Sequence, residues 1–238
     1  YKKGIQKAIK SENAEYEIYL YNCISVLFNE QKRFREAIEY SDKAESKAIA
    51  INDTIERLSA HANKGAILMR QGNYRKSVNS LTSMWNMVKQ ANYNVLTLKY
   101  LSPLLKSYLQ LGKADSVAFY LTYANEACRN LAPTSNGVLG ILEIKADLLG
   151  QQKKYAEQWL LLDSIGRLAG TNLTMPKDKL LATQARCLYN MGKYTQAYQA
   201  MQKAYMKSDS LKQSDIDKQL SEFNIKYTQD HSNSTIKC

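Results

Sequence analysis

Apolar side chains return at intervals of three and four along most of the chain, the spacing that lines one side of an α-helix. Near the C-terminus, for example, Ile216, Leu220, Phe223 and Tyr227 follow one another at four, three and four, a single stripe on a helix. Breakers are scarce, with ten Gly and three Pro in 238 residues, so the expected class is all-α.

The interruptions share one grammar. An apolar-periodic helix runs into a short polar turn, and an aromatic residue then opens a second, antiparallel helix. The anchors Phe34, Tyr74, Ala114, Tyr155 and Tyr194 are spaced by 40, 40, 41 and 39 residues. Gly72, Gly112 and Gly192 just before the anchor suit the left-handed conformation that ends helices. Three positions after it a small residue, Ala37, Ser77 or Ala197, lets paired helices approach, while Ile38, Val78, Trp159 and Tyr198 fill the seam. Five hairpins over residues 18–211 follow from this, and since one hairpin cannot bury its apolar face alone, neighbours must stack. Residues 1–17 are expected to be the second helix of an earlier, truncated repeat. Residues 212–230 should form a capping helix carrying the stripe above, and 231–238 a frayed tail.

Charge and chemistry change this picture little. The formal net charge is +11, but Lys and Arg are scattered without a dense basic run, so solvated helix faces are expected and nucleic acid is not an expected partner. Cys23, Cys128, Cys187 and Cys238 lie far apart, as do His61 and His231, so neither a metal nor any cofactor is expected. Gly137 and Gly140 stand before a helix without the Lys-Ser or Lys-Thr of a phosphate loop, and Ser164 lacks a nucleophile-elbow context. Glu143 and Asp147, four apart, would share a helix face, as paired carboxylates or as an anionic patch. No catalytic residue is assigned. The start at Tyr1 and the helix-like first residues read as a fragment of a longer protein.

Residues 18–211 resemble the tetratricopeptide repeat family. Its first-helix aromatic or Leu is matched by Tyr21, Leu101, Leu142 and Leu181, its small residue by Ser25, Gly65, Ala146 and Ala185, and its closing Ala by Ala44, Ala124 and Ala204. Departures are Leu105 at the small position, Ala114 for the aromatic, and Pro103, expected to kink or shorten its helix. The period exceeds the family's ~34 residues, which requires longer second helices or longer links between hairpins. The resemblance implies a right-handed superhelical solenoid whose concave face, lined by first helices, binds an extended peptide, a protein segment or a small ligand. Projected onto that face are Asn22, Asn29, Arg70, Lys106, Glu143, Asp147, Arg186, Tyr189 and Asn190, with Val26 and Ala66 between them. Val26, Pro103 and Thr183 stand where a chaperone-tail clamp needs Asn and Arg, so that subclass is not expected.

The block Asp209, Ser210, Leu211, followed by a charged helix with Lys226 and Tyr227, resembles the sensor regions of Bacteroidetes membrane signalling proteins. In that group tetratricopeptide repeats precede a transmembrane helix and then a histidine kinase or a helix-turn-helix regulator. The resemblance implies a periplasmic sensor domain of an inner-membrane protein with an adjacent membrane span, and it allows a homodimer. A cytoplasmic adaptor that recruits a protein partner is the alternative.

Overall fold

A computed structural model describes residues 13–169, 176–206, 222, 225 and 226. Among them every regular element is an α-helix: α1 (Ala14–Glu30), α2 (Phe34–Ala50), α3 (Thr54–Arg70), α4 (Tyr74–Ser83), α5 (Trp85–Ala91), α6 (Asn94–Gln110), α7 (Ala114–Cys128), α8 (Asn136–Gln151), α9 (Tyr155–Ala169), α10 (Lys177–Asn190) and α11 (Tyr194–Tyr205). The all-α expectation holds. The capping helix and the frayed tail fall outside the described residues, apart from Glu222, Ile225 and Lys226, which are helical.

Within each sequence repeat the two helices are joined by a three-residue turn of one kind. At the first turn the Arg33 amide donates to the Phe28 carbonyl at 2.9 Å and the Lys32 amide to that of Asn29 at 3.0 Å. The same pair of bonds closes the other four turns, through Asn73 and Gly72, Lys113 and Gly112, Lys154 and Lys153, and Lys193 and Gly192. This double bond is the Schellman end, which requires a left-handed residue after the helix. That residue is Gly72, Gly112 or Gly192 in three repeats and Lys32 or Lys153, at φ 59° and 58°, in the other two. Gly150 is therefore not the turn glycine of its repeat. It lies inside α8, where a Cβ would stand 2.6 Å from the Gln158 amide nitrogen.

Other boundaries depart from the sequence reading for local reasons. The first helix begins at Ala14 and so takes in the last residues of the segment 1–17 expected to belong to an earlier repeat, of which 1–12 lie outside the described residues. The Asn13 side chain caps it by accepting from the Tyr16 amide at 2.9 Å, with Glu15 and Glu17 in the first turn. Pro103 does not shorten its helix: α6 has 17 residues, as α1, α2 and α3 have. Gly137 and Gly140 sit within α8, whose Ser135 cap accepts from the Val138 amide. The second helix of the Tyr74 repeat breaks at Met84, after a run in which Thr82 Oγ1 binds the Val78 carbonyl at 2.9 Å and Ser83 Oγ that of Ser80 at 2.7 Å. Such hydroxyls compete with the helical backbone ladder. The residues beyond the usual period go into helices in the first two repeats, whose outgoing links, 51–53 and 92–93, are short, and into the longer link 129–135 in the third.

The chain divides into two compact units, Tyr1–Ala132 and Pro133–Cys238. In the first, α3 lies against α1, α2, α4 and α6, and α6 pairs with α7. Ala37, Ser77, Ser25, Ala44 and Ala124, the small positions of the repeat, are fully buried there. Gly65 makes room for the fully buried Leu81, whose Cδ2 is 2.4 Å from where a Cβ would stand. In the second unit, α8 packs on α9, α9 on α10 and α10 on α11. Ala146, Leu162, Ile165, Leu180 and Cys187 form one cluster, and Ala185, Leu188, Ala197, Met201 and Ala204 another. Each large apolar side chain enclosed this way contributes about 1.5–3 kcal/mol of transfer free energy.

Candidate functional site

In the first unit, consecutive first helices touch through residues one sequence repeat apart. The Asn63 amide donates to Asn22 Oδ1 at 2.9 Å, 41 residues away. Arg70 pairs with Glu30 at a separation of 40, the Lys99 ammonium donates to Ser59 Oγ at 2.5 Å, also 40 apart, and His61 Nδ1 meets the Tyr100 hydroxyl at 2.9 Å, 39 apart. Contacts between equivalent positions mean that α1, α3 and α6 run parallel and in register. Their polar residues thus form a ladder across three helices.

The ladder assigns the expected site residues different tasks. Asn22 is buried, donating to Glu56 Oε2 at 2.8 Å while it accepts from Asn63, so its amide joins α1 to α3 and does not face out. Asn29 is also buried, and its side-chain oxygen has no hydrogen-bond partner. An acceptor left in that state carries a desolvation cost of about 1–3 kcal/mol that a donor would relieve. Arg70 stands at the last turn of α3 on Glu30, and Lys106 is half-buried on α6. Val26 is exposed on the same helix as Asn22 and Asn29.

In the second unit Glu143 is buried, whereas Asp147, four residues on, is exposed, so the two carboxylates do not share one environment. Arg186 and Asn190 are exposed on α10. Tyr189 is half-buried, its ring 5.3 Å edge-on from that of Tyr194.

Sequence reasoning passed over Glu56, Ser59, Asn63 and Lys99, which the ladder uses, although the 40-residue spacing that located the anchors also relates Ser59 to Lys99. It also passed over the surroundings of His61. That ring is buried between Tyr100 and Ser80, with Ser80 Oγ 3.3 Å from Nε2, and burial lowers its pKa, against the field of Glu45 and with that of Lys64 and Arg57. Burial likewise raises the Tyr100 hydroxyl. From Tyr100 an aromatic chain continues through Trp85 to Tyr120 and Tyr123, ending at the exposed Phe119.

A cleft of about 540 Å³ along α1 and α2 is lined by Glu17, Tyr21, Glu39, Asp42, Lys43, Ser46, Lys47 and Ala50. Two ion pairs lie within it, Lys47 with Glu17 at 2.9 Å and Lys43 with Glu39 at 2.6 Å, while Asp42 is held by Lys64 at 2.5 Å from outside the cleft. The Tyr21 hydroxyl donates to Glu17 at 2.7 Å, and burial together with that carboxylate pushes its pKa up to about 12. Among the described residues no group of three His, Cys, Asp or Glu could hold a metal ion, and no helix is long and apolar enough to cross a membrane. These features define an all-helical protein of antiparallel hairpins with a polar ladder along its first three first-helices. No protein-family model matches the chain, and no curated protein matches it.

Proposed function

We propose that the chain is a tetratricopeptide-like solenoid that works without catalysis, binding a protein or peptide segment, or a small ligand, along its first helices. Its place would be the sensor region of a bacterial membrane signalling protein, a histidine kinase or a membrane-linked regulator. The observation that carries this reading is the in-register ladder at separations of 39, 40 and 41 residues, since a stack of equivalent hairpins lines up its first helices in this way. On that face Asn22 acts as a fastener between helices. Lys106 and Arg70 are the groups that would meet a ligand, and the exposed Glu30 that Arg70 holds is readily exchanged for a carboxylate of the partner.

The test is to pan a random peptide library on the chain and re-measure the selected peptides with Arg70→Ala and Lys106→Ala. Loss of a charge-assisted contact should weaken binding about tenfold or more. Failure to enrich any peptide, or selected peptides indifferent to both changes, would overturn the assignment of this face. The sensor role is tested separately in the gene: absence of any membrane span in the full-length product would replace it with a cytoplasmic adaptor.

A further inference from the structure

The cations that look scattered in the sequence are gathered by the fold of the first unit. Its three intra-hairpin turns, 31–33, 71–73 and 111–113, each follow the seventeenth residue of α1, α3 or α6. The ladder holds those helices in register, and Arg70 on Glu30 joins the first two turns directly. All three turns therefore lie at one end of the stack. Lys32, Arg35, Arg75, Lys76 and Lys113 sit on or next to them, all exposed and none in an ion pair among the described residues. Arg33 and Arg70 add two more charges, bound to Glu36 and Glu30. The remaining acid of this end is Asp115.

Helix stability accounts for only part of this arrangement, because Lys32 and Lys113 follow the C-termini of α1 and α6, where cations are favoured, but the other three cations stand at helix N-termini. Arg35 lies in the first turn of α2, and Arg75 and Lys76 in the first turn of α4, which holds no acidic residue. Cations there oppose the helix dipole, which favours anions at that end. With neighbouring helix axes about 8–10 Å apart, three stacked hairpins make a patch about 20–30 Å long. The long side chains stand out from tight turns, so the patch is a broad end face and not a track. Its two aromatics, Phe34 and Tyr74, are half-buried as hairpin anchors, so no row of free rings is offered for bases to stack on.

We propose that this end of the first unit is a docking surface for the anionic headgroups of a phospholipid bilayer. Each Lys or Arg brought to such a surface adds about 1 kcal/mol, or about fivefold in affinity, and the attraction fades beyond a Debye length.

The experiment is sedimentation of the full 238-residue chain with vesicles of phosphatidylcholine alone or mixed with phosphatidylglycerol, at low and raised salt. The mixed vesicles should carry the protein down at low salt and release it at high salt, and neutral vesicles should not bind it. Arg75→Gln with Lys76→Gln should weaken binding about thirtyfold. Lys89→Gln with Arg129→Gln removes the same charge from the last turn of α5 and the end of α7, away from the patch, and should change it less than about threefold. Equal loss in both pairs would show that only net charge acts and overturns the proposal, as does failure to bind anionic vesicles. Binding of an RNA or DNA oligonucleotide that depends on Arg75 and Lys76, without vesicle binding, would reassign the surface to nucleic acid.

Discussion

The two units close their hairpins by different means at the point where the paired helices come nearest. In the first, the seam is apolar with buried hydroxyls. Leu81 fills the space that Gly65 leaves, Ser77 Oγ donates to the Gly65 carbonyl at 2.8 Å and Ser25 Oγ to that of Ala37 at 2.8 Å, while Ser41 Oγ, donating to the Ala60 carbonyl at 2.7 Å, ties the first hairpin to the second. In the second, the larger polar side chain of Gln158 occupies the position of Ser77. Gln158 lies against Gly150, one helical turn beyond the residue that corresponds to Gly65, and its Oε1 accepts from the Cys187 thiol at 3.0 Å. Burial raises that thiol's pKa to about 11, which keeps it protonated and able to donate. In these two hairpins the residue that makes room for a large side chain is a glycine, Gly65 for Leu81 and Gly150 for Gln158. Whether the large one is apolar or polar is secondary, provided that each buried polar atom finds a partner.

The strongest way to break this comparison is a pair of double-mutant cycles. Leu81→Ala should cost about 2–5 kcal/mol, and Gly65→Ala about 1–3 kcal/mol through the collision with Leu81. Combined, they should cost less than their sum by at least about 1 kcal/mol, because the new methyl enters the space that Leu81 vacates. Gly150→Ala with Gln158→Ala should couple with the same sign in the second unit. Urea unfolding can follow each unit separately, since the two tryptophans, Trp85 and Trp159, stand one in each. Simple additivity at either glycine would show that it is not there to admit its neighbour.

A smaller effect separates the units by pH. His61 is buried in the first unit with a pKa held below 6.5, so the unfolded chain takes up the proton first as pH falls, and folding stability drops below that value. Protonation also turns Nδ1 into a donor facing the buried Tyr100 hydroxyl, which must then give up its own donor role. The first unit should lose up to about 1.4 kcal/mol per pH unit below pH 6.5 relative to His61→Gln, while the Trp159 signal shows no such difference between the two proteins. Identical pH profiles for wild type and variant would sink this reading.

The smallest change treats the units alike. Lys32 and Lys153 hold left-handed turn positions that Gly holds in the other three repeats, so Lys32→Gly and Lys153→Gly should each raise stability, by less than about 1 kcal/mol because glycine also loses more backbone entropy on folding. A loss of stability at either site would mean that the lysine side chain makes a contact worth more than the strain.

Much of the architecture was legible in the sequence. The anchors, the buried Ala37, Ser77 and Ala197, and the all-helical class all follow from local periodicity and turn chemistry. The candidate site was legible only in part. Position on a helix identifies a face, and so Asn22 and Asn29 were rightly placed on the first helix, but burial depends on what a neighbouring helix 40 residues away presents. Asn63 and Glu56 take up Asn22, while the distant Arg70 remains on an exposed pair.

By itself the sequence determined where helices start, turn and repeat, because caps, breakers and apolar spacing act within a few residues. The break at Met84 also has a local cause in the hydroxyls before it, a signal the sequence reading passed over. Tertiary structure alone decided which polar groups became internal fasteners and where the charge collects. Lys32, Arg75 and Lys113 are some 40 residues apart along the chain, and a scattered charge is all that composition can report of them. Packing α1, α3 and α6 in register brings their turns to one end. Electrostatic interaction falls with distance in space, not in sequence, and that distance is fixed only when the helices stack.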